Sequence, residues 1–173
     1  MIKVVVTGVE STGKTVLAQS IGGYYKCQMV EEYARTYLQV TKGQYTQSDL
    51  VTILNRQMAN EAVAIKTDPN LVVCDTGPYV IKVWSTFKYN TVDPKILQTI
   101  QNYEADLFIL PDYKGIPYEE DPLRENPNDR EILFEMYLKE MVNQDVPFLI
   151  VSGDFENRLW QVKRAVDWLV DRS

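Results

Sequence analysis

At 173 residues and 45% hydrophobic, the chain can bury one sizeable core and is too short for two ordinary domains, so a single domain is expected. Acidic residues outnumber basic ones by 24 to 18, and the net charge of -6 disfavours nonspecific binding to nucleic acid or to an anionic membrane, which leaves a small-molecule partner. No apolar run approaches a membrane span, and Met1 to Val6 holds no long apolar stretch of the signal-peptide kind, so a cytoplasmic location is expected.

The first strand is expected at residues 2–7, closing with Val4-Val5-Val6-Thr7. Directly after it, Gly8-Val9-Glu10-Ser11-Thr12-Gly13-Lys14-Thr15 fills every fixed position of G-x-x-x-x-G-K-[ST]. Such a loop turns its backbone N–H groups inward around phosphate, and the following helix adds the positive end of its dipole. Gly8, Glu10, Ser11, Thr12, Gly13, Lys14, Thr15 and Val16 are therefore the expected nucleotide-binding residues. Lys14 is placed at the β- and γ-phosphates, and the Thr15 hydroxyl on the accompanying magnesium ion.

A helix follows from Lys14 to about Tyr25, with Leu17, Ile21 and Tyr24 on its inner face, and a second strand at 27–31. Thr46-Gln47-Ser48-Asp49 reads as a capping box opening a helix that carries Leu50, Leu54, Met58, Ala62 and Ile65. Strands are expected at 71–75, 106–110 and 147–151. One helix follows Pro127-Asn128, with Asn128 as cap and Leu133, Tyr137 and Met141 inward, and a last one spans about Phe155 to Val170 with Leu159, Val162, Val166 and Leu169 inward. This alternation predicts an α/β fold with a five-stranded parallel sheet covered by helices on both faces. Cys27 and Cys74 lie in strand-like apolar stretches and read as reduced structural thiols.

Residues 112–126 break the regularity. Pro111, Pro117, Pro122 and Pro127 fall among charged residues directly after the fourth strand. The segment is either a solvated connection or a lid that closes over the site and excludes water.

The chain contains no histidine, so a side-chain general base must be a carboxylate, or less readily a lysine or tyrosine. Glu31-Glu32-Tyr33-Ala34-Arg35 follows the second strand, where ligands bind in open parallel sheets; it reads either as a substrate site or as a charged helix start with Arg35 paired to Glu31 or Glu32. Leu71-Val72-Val73-Cys74-Asp75 has the form of the second nucleotide-binding element, whose aspartate holds magnesium. Tyr79, Val83, Trp84 and Phe87 share a helical face that fits core better than a base-stacking platform. Arg124 is either an arginine that swings onto the transferred phosphoryl group or a solvated surface residue.

Together the P-loop, Glu32-Tyr33-Ala34-Arg35, Cys74-Asp75-Thr76 and Asp121-Pro122-Leu123-Arg124 resemble the successive motifs of the ribosylnicotinamide kinase domain found in bifunctional NAD-biosynthesis regulators. The resemblance runs from Ile2 to the final helix. It implies a nucleoside-kinase-like P-loop fold, ATP and magnesium as cofactors, and nicotinamide riboside as the nucleoside phosphorylated on its ribose 5′-hydroxyl. Lys14, Glu32, Asp75 and Arg124 would be the catalytic set, with Thr15 and Asp75 at the metal and Glu31, Glu32, Tyr33, Arg35, Asp75 and Asp121 about the substrate. A cationic pyridinium nucleoside would be drawn to Glu31, Glu32 and Asp75. Other readings are a kinase for another nucleoside or nucleotide, and an acceptor-independent ATP-binding or ATP-hydrolysing regulatory module. A regulatory GTPase is disfavoured because no Asn-Lys-x-Asp guanine-reading element occurs, and Asp75-Thr76-Gly77-Pro78 has proline where a switch glycine belongs.

Overall fold

The computed structural model describes residues 1–68, 70–123, 126 and 128–172. Five strands, β1 (Ile2–Val6), β2 (Gln28–Val30), β3 (Leu71–Asp75), β4 (Leu107–Pro111) and β5 (Phe148–Val151), form one parallel sheet in the order β2-β3-β1-β4-β5. Helices α1 (Lys14–Tyr25), α2 (Tyr33–Thr41), α3 (Gln47–Thr67), α4 (Pro78–Tyr89), α5 (Pro94–Gln101), α6 (Arg130–Val142) and α7 (Phe155–Val170) complete the described elements. The central strand is β1, whose Val6 pairs with Asp75 on one side and Ile109 on the other. The P-loop, the 31–32 junction and Asp75 therefore leave the sheet along one edge.

Side-chain alternation along the buried strands divides the core. Val5, Val72, Cys74, Phe108 and Leu110 face α3, α4 and α6, whereas Ile2, Val4, Val6, Val73 and Ile109 face α1 and α7. A third cluster, built from Ala34, Leu50, Ile53, Leu54, Ile81 and Ile96, ties α2 and α5 to α3 and α4.

The expected strands lie within a residue or so of the observed ones, and α7 has the expected bounds. The capping box is present: Thr46 caps α3, and its N–H donates to Asp49 Oδ2 at 2.8 Å. Three details differ. Tyr24 is 56% exposed instead of inward, because α1 buries Leu17, Ala18, Ile21 and Gly22, and Lys163 Nζ lies 3.5 Å above its ring. Ala62 is exposed because the inner face of α3 runs through Ile53, Gln57, Glu61 and Ala64. Asp129, not Asn128, occupies the N-cap position of α6, and Pro127 lies outside the described residues. Helix α5 was not anticipated, although Asp93-Pro94 signals it: the Asp93 carboxylate accepts from Lys95 N–H, and proline fits the first turn. Both cysteines are free, with Cys74 buried and Cys27 half-buried.

Candidate active site

The P-loop takes its shape from a few backbone demands. Gly8 sits at φ 121° and a Cβ there would meet Leu110 Cδ1 at 2.7 Å, while Gly13 stands at φ 79° before α1. Val9 carbonyl accepts from Thr12 Oγ1 at 2.8 Å and from Lys14 Nζ at 2.7 Å, so the lysine folds back on its own loop. Ser11 (φ 56°) and Thr76 (φ 71°), directly after Asp75, are non-glycine residues in the left-handed region, a strain typical of functional loops.

All eight expected nucleotide-binding residues, Gly8 and Glu10 through Val16, line a cavity of about 550 Å³ along this sheet edge. Glu32 and Arg35 line it from the start of α2, and Gly153, Asp154, Phe155 and Arg158 from the β5–α7 junction. An adjoining hollow of about 400 Å³ shares Glu10, Leu38, Trp84, Leu123 and Asn126 with it and adds Tyr45, Phe87 and Lys88. The rings of Tyr45 and Trp84 stack there with centroids 5.9 Å apart, and Lys88 Nζ lies 3.8 Å over Tyr45. Tyr79 and Val83 are core as expected, but Trp84 and Phe87 from the same helical stripe form cavity wall.

Other expected site residues lie outside the cavity lining. Glu31 is exposed, and half-buried Tyr33 packs against the α2–α3 cluster. Asp121 accepts from Arg35 Nη2 at 2.7 Å, joining α2 to the 112–126 segment in place of a pairing of Arg35 with Glu31 or Glu32. Asp75 is buried at the end of β3, and Arg124 lies outside the described residues.

The carboxylates are electrostatically distinct. Burial pushes Glu32 up to about 7, opposed by Lys14 and Arg35 and reinforced by Asp75 and Glu10. Burial also raises Asp75, against a hydrogen bond from the Thr15 hydroxyl and the charge of Lys14. Asp75 Oδ1 is buried without a hydrogen-bond partner among the described residues. That orphaned oxygen beside the Thr15 hydroxyl fits a magnesium ion, which takes one or two protein oxygens and fills its octahedron with water and phosphate.

Tyr118, Glu119 and Asn126 bring the described part of the 112–126 segment against the P-loop. Glu10 Oε1 accepts from Tyr118 OH at 3.2 Å and Asn126 N–H at 2.8 Å, and Ser11 Oγ accepts from Glu119 N–H at 2.7 Å. Two buried arginines missed in the sequence brace the loop from behind. Arg130 donates to the carbonyls of Ser11 (3.1 Å), Tyr113 (3.2 Å) and Ile116 (2.9 Å). Arg158 donates to those of Gly153 (2.7 Å) and Thr12 (3.3 Å). The available signal was position: Arg158 precedes Val162 by four residues on the buried stripe of α7, and a charge on such a stripe needs a partner.

The sequence profile of the AAA domain family matches residues 3–158. Among solved structures, the NadR protein in complex with NR aligns at TM-score 0.82 and 21% identity over 95% of this chain and 50% of its own. NadR in complex with NAD and AMP-PNP aligns at TM-score 0.81 and 18% identity over 98% and 49%. Deoxyadenosine kinase from M. mycoides with bound dCTP aligns at TM-score 0.59 and 17% identity over 96% and 99%. The chain thus spans about half the length of the NadR chains and nearly all of the deoxyadenosine kinase, with which it shares a fold. No curated protein sequence matches it.

Proposed function

The chain belongs to the AAA domain family, and from that premise we propose that it is an ATP-dependent kinase that phosphorylates the ribose 5′-hydroxyl of nicotinamide riboside. The observation that carries this reading is the placement of Glu32 and Lys14 in one cavity that ends in a phosphate loop and adjoins a hollow walled by Tyr45, Trp84 and Phe87. A hydrolase needs only the phosphate loop; a stacked aromatic pair beside it suits the flat base of an acceptor.

In this reading the P-loop N–H groups and Lys14 hold the β- and γ-phosphates, with Lys14 exchanging Val9 carbonyl for phosphate oxygen. Thr15 and Asp75 hold magnesium, which neutralises charge on the phosphates when bound. Glu32 accepts the proton of the ribose hydroxyl, and a carboxyl near neutrality is suited to that exchange. Arg35 and Asp121 couple the acceptor side to the 112–126 segment, whose contacts with Glu10 and Ser11 suit a lid; Arg124 would bring its charge to the transferred group. NR in one NadR structure supports the acceptor assignment. A second reading, a neutral nucleoside acceptor, is favoured by Lys88 in the aromatic hollow, where a pyridinium would meet a like charge, and by the likeness to deoxyadenosine kinase.

The test is the specificity constant for nicotinamide riboside against uridine, cytidine, adenosine and thymidine, with ATP and magnesium under one set of conditions. Nicotinamide riboside is expected to lead. Equal or better use of a neutral nucleoside overturns the acceptor assignment, and ATP turnover indifferent to all five overturns the kinase.

A further inference from the structure

The start of helix α2 is held by a side chain from a neighbouring helix. Its N-cap is Glu32, a position where a side chain ordinarily accepts from the free N–H groups of the first turn, yet Glu32 makes no such bond and instead lines the cavity. The first helical N–H, that of Tyr33, is taken by another element: it donates to Gln57 Oε1 on α3 at 2.9 Å. Gln57 is 4% exposed, and its Nε2 has no partner among the described residues. Burying half an amide unsatisfied is unfavourable, and an apolar side chain would avoid it, so the bond from Tyr33 is the physical reason for a glutamine here. The donor also fixes the amide orientation, because only the oxygen can face an N–H.

We propose that Gln57 is a positioning residue for Glu32: by holding the Tyr33 N–H from a neighbouring helix, it fixes the backbone at the start of α2 from which the Glu32 side chain reaches the cavity. This rests on the reading of Glu32 as the group that receives the acceptor proton. Without the Gln57 oxygen, the Tyr33 N–H loses its partner, the backbone at residues 32 and 33 shifts to find another, and the Glu32 carboxylate turns with it. Nucleotide binding on the P-loop is untouched by that rotation.

The test compares Gln57→Met, which keeps shape and removes the acceptor, with Gln57→Glu, which keeps an acceptor oxygen. With nicotinamide riboside and ATP, Gln57→Met is expected to lower kcat on the order of tenfold to a hundredfold with an unchanged KM for ATP and a folded thermal transition, and Gln57→Glu to restore most of the loss. In a Glu32→Gln background, Gln57→Met should cost nothing further, because the group it positions is gone. An unchanged kcat in Gln57→Met, a matching rise in the KM for ATP, or a full additional loss in the double variant overturns the proposal. Full turnover in Glu32→Gln alone overturns the assignment of Glu32 itself, so the two failures are distinguishable.

Discussion

Replacing Glu32 by glutamine should remove activity and stabilise the fold, and the second effect has a pH signature. The Glu32 carboxyl is held at about 7 against its ordinary 4.5, mainly by burial. Between those values the unfolded chain has released a proton that the folded chain keeps, so the contribution of Glu32 to stability falls as pH rises through the window and levels off above it. A displacement of about 2.5 pH units at about 1.4 kcal/mol each sets an upper limit of roughly 3 kcal/mol. Glu32 is only half-buried and lines an open cavity, so water returns part of its hydration, and a gain of about 1–2 kcal/mol is expected for the glutamine variant at pH 8. For a chain of this size that corresponds to roughly 2–8 °C in Tm. The assay is thermal unfolding of both proteins without nucleotide at pH 5 and pH 8, with turnover measured in parallel. The glutamine advantage should be larger at pH 8, and turnover should fall on the order of a hundredfold. An advantage equal at both pH values, or a variant less stable at pH 8, would refute the reasoning.

Lys14→Ala should abolish most phosphoryl transfer while changing Tm little, since its ammonium bonds the carbonyl of its own loop; an unfolded or fully active variant contradicts the assignment. Asp75→Asn should raise the magnesium concentration needed for half-maximal rate, read from a magnesium titration at fixed ATP, and an unchanged requirement removes Asp75 from the metal. Remote from the cavity lining, Glu61 pairs with Lys3 at 3.3 Å, both buried, and accepts from half-buried Tyr103 OH at 3.0 Å. Glu61→Leu strands a buried ammonium and should cost about 3–5 kcal/mol in denaturant unfolding, most of which the Lys3→Met/Glu61→Leu double variant should recover. Equal destabilisation of the single and double variants would show that lost packing, not the unpaired charge, sets the cost.

Local chemistry made much of this protein legible in its sequence. The P-loop was readable because phosphate binding imposes glycines and a lysine at fixed spacing within one turn, and the sheet because each doubly buried strand must be apolar throughout. The capping of α3 by Thr46 and Asp49, the start of α1 at Lys14 and the bounds of α7 follow from contacts within a few residues of each other. What depends on distant pairing was not readable. Gln57 and Glu61 lie four residues apart on the inner face of α3, and only the tertiary structure joins one to the Tyr33 N–H and the other to Lys3 and Tyr103. Trp84 could be placed on a helical face but not on the cavity wall, because that depends on Leu38, Tyr45, Leu123 and Asn126 coming beside it from other parts of the chain. The elevation of Glu32 likewise comes from burial, with Asp75 and Glu10 adding to it and Lys14 and Arg35 opposing it, all brought together from distant parts of the chain. Spacing along the chain determines which residues can form an element; desolvation and partner choice at long range are settled only when the elements pack.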